Sequence, residues 1–308
     1  MIRNRVIILF LVGSLSFFLT GAAFSQNLEF EVKKGVEFAV HDGVPLLGDL
    51  YVPKAPGKYP AIVAAHGGGW QIGNPSTYQY WGPYLAKRGY VLFAVTYRLV
   101  KPGQKTYPEA VHDVRAAVQF IKHRAAEFKV DADRVVLMGD SAGAQIASLV
   151  ALAGDLPKFS GAYKTDPYSS VSTKVRAVVG IYGVYDMAAQ WNHDQVHRPR
   201  DQITEKFIGA TPMDDRQLFF DASPISYTTL ANNKTAFFLV WGTEDDIVDV
   251  KTQSEAFLLA LKQARFTVRT AVVQAAPHFW MWDPIEEPES HCAFLAPRLL
   301  RFLGFVLR

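Results

Sequence analysis

Gly139-Asp140-Ser141-Ala142-Gly143 sets a serine between two glycines, the spacing that can expose a hydroxyl for nucleophilic attack. Such a hydroxyl reacts only if a neighbouring base takes its proton and fixed donors receive the negative charge that develops on the attacked oxygen. The pentapeptide alone is weak evidence, because glycine and serine are common. Its context is stronger. It follows the apolar run Val135 to Met138 and opens a helical stretch of small residues, Ala142, Ala144, Ala147 and Ser148. A sharp strand-to-helix turn would hold the Ser141 oxygen clear of the backbone, and the flanking glycines permit the strained angle that this needs. The start of the helix adds partial positive charge where an anion would form.

Donors, base and acid have candidates at matching places. His66-Gly67-Gly68-Gly69-Trp70 comes directly after the apolar run Ala61 to Ala65, and unhindered glycine amides on such a loop can face an oxyanion. Gly68 and Gly69, with the amide of Ala142, are the expected oxyanion donors, and His66 is expected to order the loop. In chains built on this serine turn the acid and then the histidine follow the serine, so the base should come late. His278, in the loop after Val268 to Val273, fits that order. His291 competes but begins the last predicted helix. The acid is expected in Gly242-Thr243-Glu244-Asp245-Asp246-Ile247-Val248. Asp245 fits a Gly-x-x-Asp-x-x-Val spacing, with Asp246 and Glu244 as alternatives. His193 and His197, four residues apart, are the one zinc-like pair. Asp194 stands where the motif H-E-x-x-H has glutamate, Pro199 closes the helix soon after, and no third ligand is evident, so no metal is expected.

These residues must be brought together by strands and helices that alternate. Leu28 to Val40 and Leu46 to Val52 read as half-exposed strands. Ala61-Ala65, Val91-Val95, Arg134-Met138, Val175-Val179, Ala236-Val240 and Val268-Val273 are short, continuously apolar runs, as suits strands buried on both faces of a parallel sheet. Between them, Val111, Val114, Val118 and Ile121 make a helical stripe after Pro108, and Ala142–Ala153, Lys251–Gln263 and His291–Leu303 read as further helices. The expected fold is α/β: a mostly parallel central sheet, helices on both faces, and an antiparallel edge in front. Two stretches, about 154–174 and 182–229, interrupt the rhythm and are expected to form a small cap or lid over the site within one domain spanning 26–308. Trp70 is the aromatic residue best placed to touch substrate. Trp81, Trp191, Trp280 and Trp282 fit core or lid packing equally well.

Bulk properties restrict the function classes. The 308 residues are 49% hydrophobic and 20% charged, with a net charge of +3. Without Arg3 and Arg5 the charge falls to +1, which gives no reason to expect nucleic acid as a partner. Those two arginines precede an apolar run from Val6 to Leu19, followed by Gly21-Ala22-Ala23-Phe24-Ser25. This is the pattern of a signal peptide over residues 1–25, cut after Ser25, and it predicts export to the periplasm or medium with no stable membrane anchor. An uncleaved anchor is the alternative. The single cysteine, Cys292, excludes an internal disulfide.

Together the His66–Trp70 loop, the serine pentapeptide and the Asp245/His278 spacing resemble the hormone-sensitive-lipase-like and feruloyl-esterase-like bacterial carboxylesterases, from about Leu46 to Leu303. The residue after the pentapeptide is Ala144 where glycine is frequent. The acid segment resembles the G-x-x-D-x-x-V form of the feruloyl-esterase-like group rather than D-P-L-x-D. The resemblance implies an α/β-hydrolase fold and a serine carboxylesterase that needs no cofactor, with Ser141, Asp245 and His278 as its triad. Its substrate would be a small-molecule or carbohydrate-linked ester, with acetyl or feruloyl acyl groups. An amide or peptide hydrolase could use the same triad, and a binding protein could retain the scaffold.

Overall fold

The computed structural model describes residues 27–308. The 1–25 segment read as a signal peptide lies outside them. Eight strands form one sheet: β1 (Phe30–His41), β2 (Val44–Pro53), β3 (Tyr59–Ala65), β4 (Val91–Val95), β5 (Val130–Asp140), β6 (Ala177–Ile181), β7 (Ala236–Gly242) and β8 (Val268–Val273). Their order across the sheet is β1-β2-β4-β3-β5-β6-β7-β8. β2 runs antiparallel to both β1 and β4, and every other pairing is parallel. The antiparallel hairpin at one edge and the parallel strands behind it match the patterning of the chain, except that β8, expected as a strand buried on both faces, is the opposite edge strand and only partly buried.

Helices α1 (Trp81–Ala86), α2 (Glu109–His123), α3 (Ala142–Ala153), α4 (Pro157–Ser160), α5 (Met187–His197), α6 (Ile203–Ile208), α7 (Arg216–Ala222), α8 (Ala256–Gln263) and α9 (His291–Val306) complete the described chain. Successive strand residues point to opposite faces, so each core strand serves two cores. Val63, Leu137 and Leu239 pack with Val114 and Val118 of α2, Ile146 and Val150 of α3 and Phe257 of α8. Ile62, Val136 and Val240 face the other way, onto Trp81 and Leu85 of α1 and Leu295 and Leu299 of α9. Two expectations shift in detail. The helix expected over Lys251–Gln263 begins as a wide π turn, Lys251–Glu255, before α8, and Pro108 sits at the N-cap of α2 rather than inside its first turn.

One expectation fails outright. The 154–174 stretch caps nothing. It lies along α2 and the end of β1, where Ser169 and Val171 carbonyls accept from Gln119, Asp166 bonds His41, and the Tyr163 ring stacks on His41 at 3.7 Å. Arg115, Gln119 and Lys122 of α2 donate to its backbone carbonyls and His41 of β1 holds the Asp166 side chain, which keeps it at the flank of the sheet. The 182–229 stretch carries α5, α6 and α7.

Candidate active site

Parallel strands deliver their following loops to one edge of the sheet, and ligand crevices in such sheets form there. β3 and β5 are adjacent, with Ala65 opposite Gly139, so the glycine loop and the serine turn emerge side by side. β7 and β8 are likewise paired, so the acid loop and the histidine loop emerge together.

Ser141 has φ 51° and ψ −120°, a left-handed conformation that costs an L-residue free energy. The turn is braced on both sides. The Ser141 amide donates to the Ile181 carbonyl at 2.9 Å, and its carbonyl accepts from Ala144 and Gln145 at the start of α3. Gly143 is required by proximity: a Cβ there would lie 2.0 Å from the Ala65 carbonyl oxygen. The serine side chain is therefore held up from the end of β5 by backbone contacts alone.

His278 Nε2 lies 2.9 Å from Ser141 Oγ, and its Nδ1 lies 2.7 Å from Asp245 Oδ2. The second oxygen of Asp245 accepts the amides of Ile247 and Val248 at 3.0 and 2.9 Å, which fixes the carboxylate. Tyr182 packs its ring 4.5 Å from the imidazole. The alternatives lie elsewhere. His291 is half-buried near Asp283, at 3.5 Å, and the Asp246 carbonyl meets His193. In this line Asp245 sets the tautomer of His278, so that Nε2 faces the hydroxyl as an acceptor.

The glycine loop passes beside the serine. Gly68 has φ 110°, and a Cβ on it would meet the Ile72 carbonyl oxygen at 2.2 Å, so glycine is required there. Its carbonyl accepts the amides of Gln71 and Ile72 and rolls the loop into a tight turn. Among the described residues the amides of Gly68, Gly69 and Ala142 donate no hydrogen bond, while the neighbouring Gly67 amide is taken up by Asp140 Oδ1 at 3.0 Å. Asp140, buried beneath the serine turn, also accepts from Tyr78 at 2.9 Å. Burial outweighs these hydrogen bonds and pushes its carboxyl up to about 6. His66 is fully buried, its Nδ1 donating to the Gly67 carbonyl at 2.7 Å, and burial lowers its imidazole to about 4. It therefore stands neutral under the loop, with the Tyr97 ring stacked at 4.5 Å.

A 260 Å³ cavity opens over Ser141, lined by Gly68, Gly69, Val184, Ile203, Ile247 and Val248 among others. Trp70 stands in its wall but is only 2% exposed, stacked on Phe207 at 4.5 Å with its indole N–H donating to Gln145. Trp70, expected to touch substrate, thus lines the cavity with little of its own surface exposed. Its indole anchors the glycine loop to α3, because the loop's own left-handed turn swings the ring inward. The exposed aromatic side chain at the mouth is Phe279, packed edge-on against His278 at 4.4 Å and stacked with Trp282 at 6.0 Å. Sequence reasoning missed Phe279, and it missed Gln190, Asp194 and Arg198, which project into the wall from one face of the α5 segment. Their spacing of four is legible in the sequence, but His193 and His197 show the same spacing on the same helix. Those two rings stack on each other at 4.2 Å, and no cluster of three or more metal-ligating side chains occurs among the described residues.

The chain is similar to several known esterases. Esterase LipQ of Mycobacterium tuberculosis is 30% identical over 230 residues, 73% of this chain and 51% of LipQ. LipM of the same organism, a probable carboxylic ester hydrolase, is 29% identical over 209 residues, 67% of this chain and 46% of LipM. The chain thus spans about half the length of the curated relatives it matches. The esterase Est2 of Thermogutta terrifontis superposes with a TM-score of 0.70 at 22% identity, covering 92% of this chain and 94% of Est2, which shows the α/β-hydrolase fold. The BD-FAE family profile matches residues 48–261, from β2 through the serine turn and the acid loop to α8. With well over half of its length matched, the chain belongs to the BD-FAE family.

Proposed function

We propose that the protein is a serine carboxylesterase, with Ser141 as nucleophile, His278 as base and Asp245 as the group that orients the imidazole. The observation that carries this reading is the unbroken line Asp245–His278–Ser141, at 2.7 and 2.9 Å, ending on a serine held at φ 51° under a cavity. His278 takes the hydroxyl proton as Ser141 attacks an ester carbonyl. The amides of Gly68, Gly69 and Ala142 receive the oxyanion, aided by the N-terminus of α3. His278 then protonates the departing alcohol, and water, activated by the same imidazole, releases the acid.

The relatives named esterases support ester rather than amide substrates. A 260 Å³ cavity is at the small end of ligand sites, which run to about 300–1,000 Å³, and suits a short or single-ring acyl group over a long chain. We extend the reading to exported acetyl or hydroxycinnamoyl esters of carbohydrate, on the strength of the charged and apolar N-terminal pattern and the G-x-x-D-x-x-V acid segment.

The test is hydrolysis of p-nitrophenyl acetate, butyrate and octanoate and of methyl ferulate, with the protein beside Ser141→Ala. Turnover falling by at least about 10⁴-fold in the variant, with octanoate slowest, is expected. Turnover that survives in Ser141→Ala, or none in either protein, would overturn the assignment. Release of acetate or ferulate from acylated xylan tests the carbohydrate part separately.

A further inference from the structure

The wall of the cavity opposite the glycine loop is polar. Gln190 and Asp194 are one turn apart on α5, 4% and 1% exposed, and both line the cavity that holds Ser141. The Gln190 amide nitrogen donates to Asp194 Oδ1 at 2.9 Å and to the Ile247 carbonyl at 3.0 Å. Both of those partners are acceptors, so the nitrogen and oxygen of this amide cannot be exchanged. Two buried oxygens are then left over: Gln190 Oε1 and Asp194 Oδ2 have no hydrogen-bond partner. Acceptors buried in this way are normally satisfied, because leaving them bare forfeits the hydration they had in water. Burial raises the Asp194 carboxyl above its ordinary value, as expected of a group still waiting for a donor.

We infer that Gln190 and Asp194 form a specificity site that accepts a hydrogen bond from a hydroxyl group of the ester, so that hydroxylated substrates are selected over their plain analogues. The inference rests on the serine-esterase reading and adds the substrate's chemistry to it. Val184, Ile203, Ile247 and Val248 make the apolar part of the same cavity, beside the polar side chains of Gln71, Ser141 and Arg198, and the two unpartnered oxygens lie buried in its wall. Arg198, the next residue on that face, is half-buried and engaged by Asp201, so it does not take up Asp194 Oδ2. The link to Ile247 matters too. Ile247 donates its amide to Asp245, so the polar wall is tied to the loop that orients His278. A site built to bond a hydroxyl rejects the analogue that lacks it, since its acceptors are then stranded.

The hydroxyl can come from the acyl or the alcohol half of the ester, and two substrate pairs separate these sources. Methyl 4-hydroxycinnamate against methyl cinnamate tests the acyl half. A monoacetyl methyl xyloside against cyclohexyl acetate tests the alcohol half. Each pair is measured as kcat/KM with the protein, with Asp194→Leu and with Asp194→Asn, which puts a donor where Oδ2 now accepts. A preference of at least about tenfold for the hydroxylated member of one pair is expected, falling to within about twofold in both variants through KM. Equal rates within both pairs, or variants that slow both members alike, would overturn the inference and leave Asp194 a structural residue. Calorimetric binding of 4-hydroxycinnamate and cinnamate, and of methyl xyloside and cyclohexanol, to Ser141→Ala reads the same preference without turnover. If no ester is hydrolysed the esterase reading fails, and the binding pairs decide the site by themselves.

Discussion

Two buried histidines at the same edge of the sheet are built almost alike and do opposite things. His278 and His41 each place Nδ1 2.7 Å from a carboxylate, Asp245 and Asp113 respectively. The other nitrogen decides the outcome. His278 Nε2 faces the Ser141 hydroxyl at 2.9 Å, a partner that can give up a proton. His41 Nε2 faces a second carboxylate, Asp166 Oδ2, at 3.0 Å. An imidazole between two carboxylates must donate from both nitrogens, so His41 is an imidazolium and has no lone pair left to act as a base. Burial works against that charge, but the hydrogen bonds and charges of Asp113 and Asp166 prevail and raise its pKa. Arg98 completes the arrangement with a two-pronged contact to Asp113. A histidine–aspartate pair at 2.7 Å is therefore no evidence of catalysis until the third group is known.

Four strand spacings, about 19 Å, separate β1 from β5, so the two histidines can be perturbed independently. The largest effect is expected at the Ser141 line. Asp245→Asn keeps the shape but lets the wrong nitrogen of His278 carry the proton, and kcat should fall on the order of 10⁴-fold, measured with p-nitrophenyl acetate. His41→Ala should leave kcat within about twofold, as a site outside the reacting line. A loss of turnover there comparable to Asp245→Asn would break the comparison.

His41→Ala should instead cost about 1–3 kcal/mol of stability, by stranding the carboxylates it holds. The pH dependence sharpens this. Because the folded pKa of His41 is raised above 6.5, its contribution is complete below pH 6.5 and is lost as pH rises through the folded value. Urea midpoints of the variant and the unaltered protein should therefore differ most below pH 6.5 and draw together as the pH rises through the folded value.

The smallest effect is expected beneath the serine turn, where two buried groups titrate in opposite senses. Asp140, raised to about 6, makes the fold less stable as pH climbs from about 4 to 6. His66, lowered to about 4, makes it more stable as pH climbs from about 4 to 6.5. In part they cancel. Asp140→Asn, whose amide oxygen can still accept from Gly67 and Tyr78, should unmask His66 and steepen the rise of stability over that window. Denaturant titrations at pH 4, 5, 6 and 7 read the slope, and an unchanged slope would show that Asp140 does not titrate there.

The site was legible where local chemistry and strand order act together. Gly139-x-Ser141-x-Gly143 needs glycine on both sides, since a Cβ on Gly143 would meet the end of β3 and one on Gly139 would meet the Gly143 backbone of the same turn, and the paired glycines are visible in the sequence alone. His66 to Gly69 could be placed because they follow an apolar run that forms a buried strand, and His278 because it follows the last strand of the sheet, although that edge strand is only partly buried. The choice of Asp245 over its acidic neighbours, the inward turn of Trp70 and the role of Phe279 were not legible in the same way. Each depends on which way a loop turns after it leaves the sheet. The 154–174 stretch was misjudged for a related reason: its Gly, Ser and Pro content marks irregular backbone, but not the face on which that backbone lies.

The sequence by itself determined the alternation of strands and helices, the serine turn, the glycine loop and the late histidine, because these follow from periodicity, chain order and the glycine a strained backbone demands. Only the tertiary structure decided that His41, among the eight histidines, is held between two carboxylates while His278 faces a hydroxyl at hydrogen-bond distance. It alone left Gln190 Oε1 and Asp194 Oδ2 without donors in the cavity wall. The physical reason is that a side chain's charge state and reactivity are set by the groups within about 3 Å of it, the reach of a hydrogen bond, and those groups come from parts of the chain that the sequence keeps far apart.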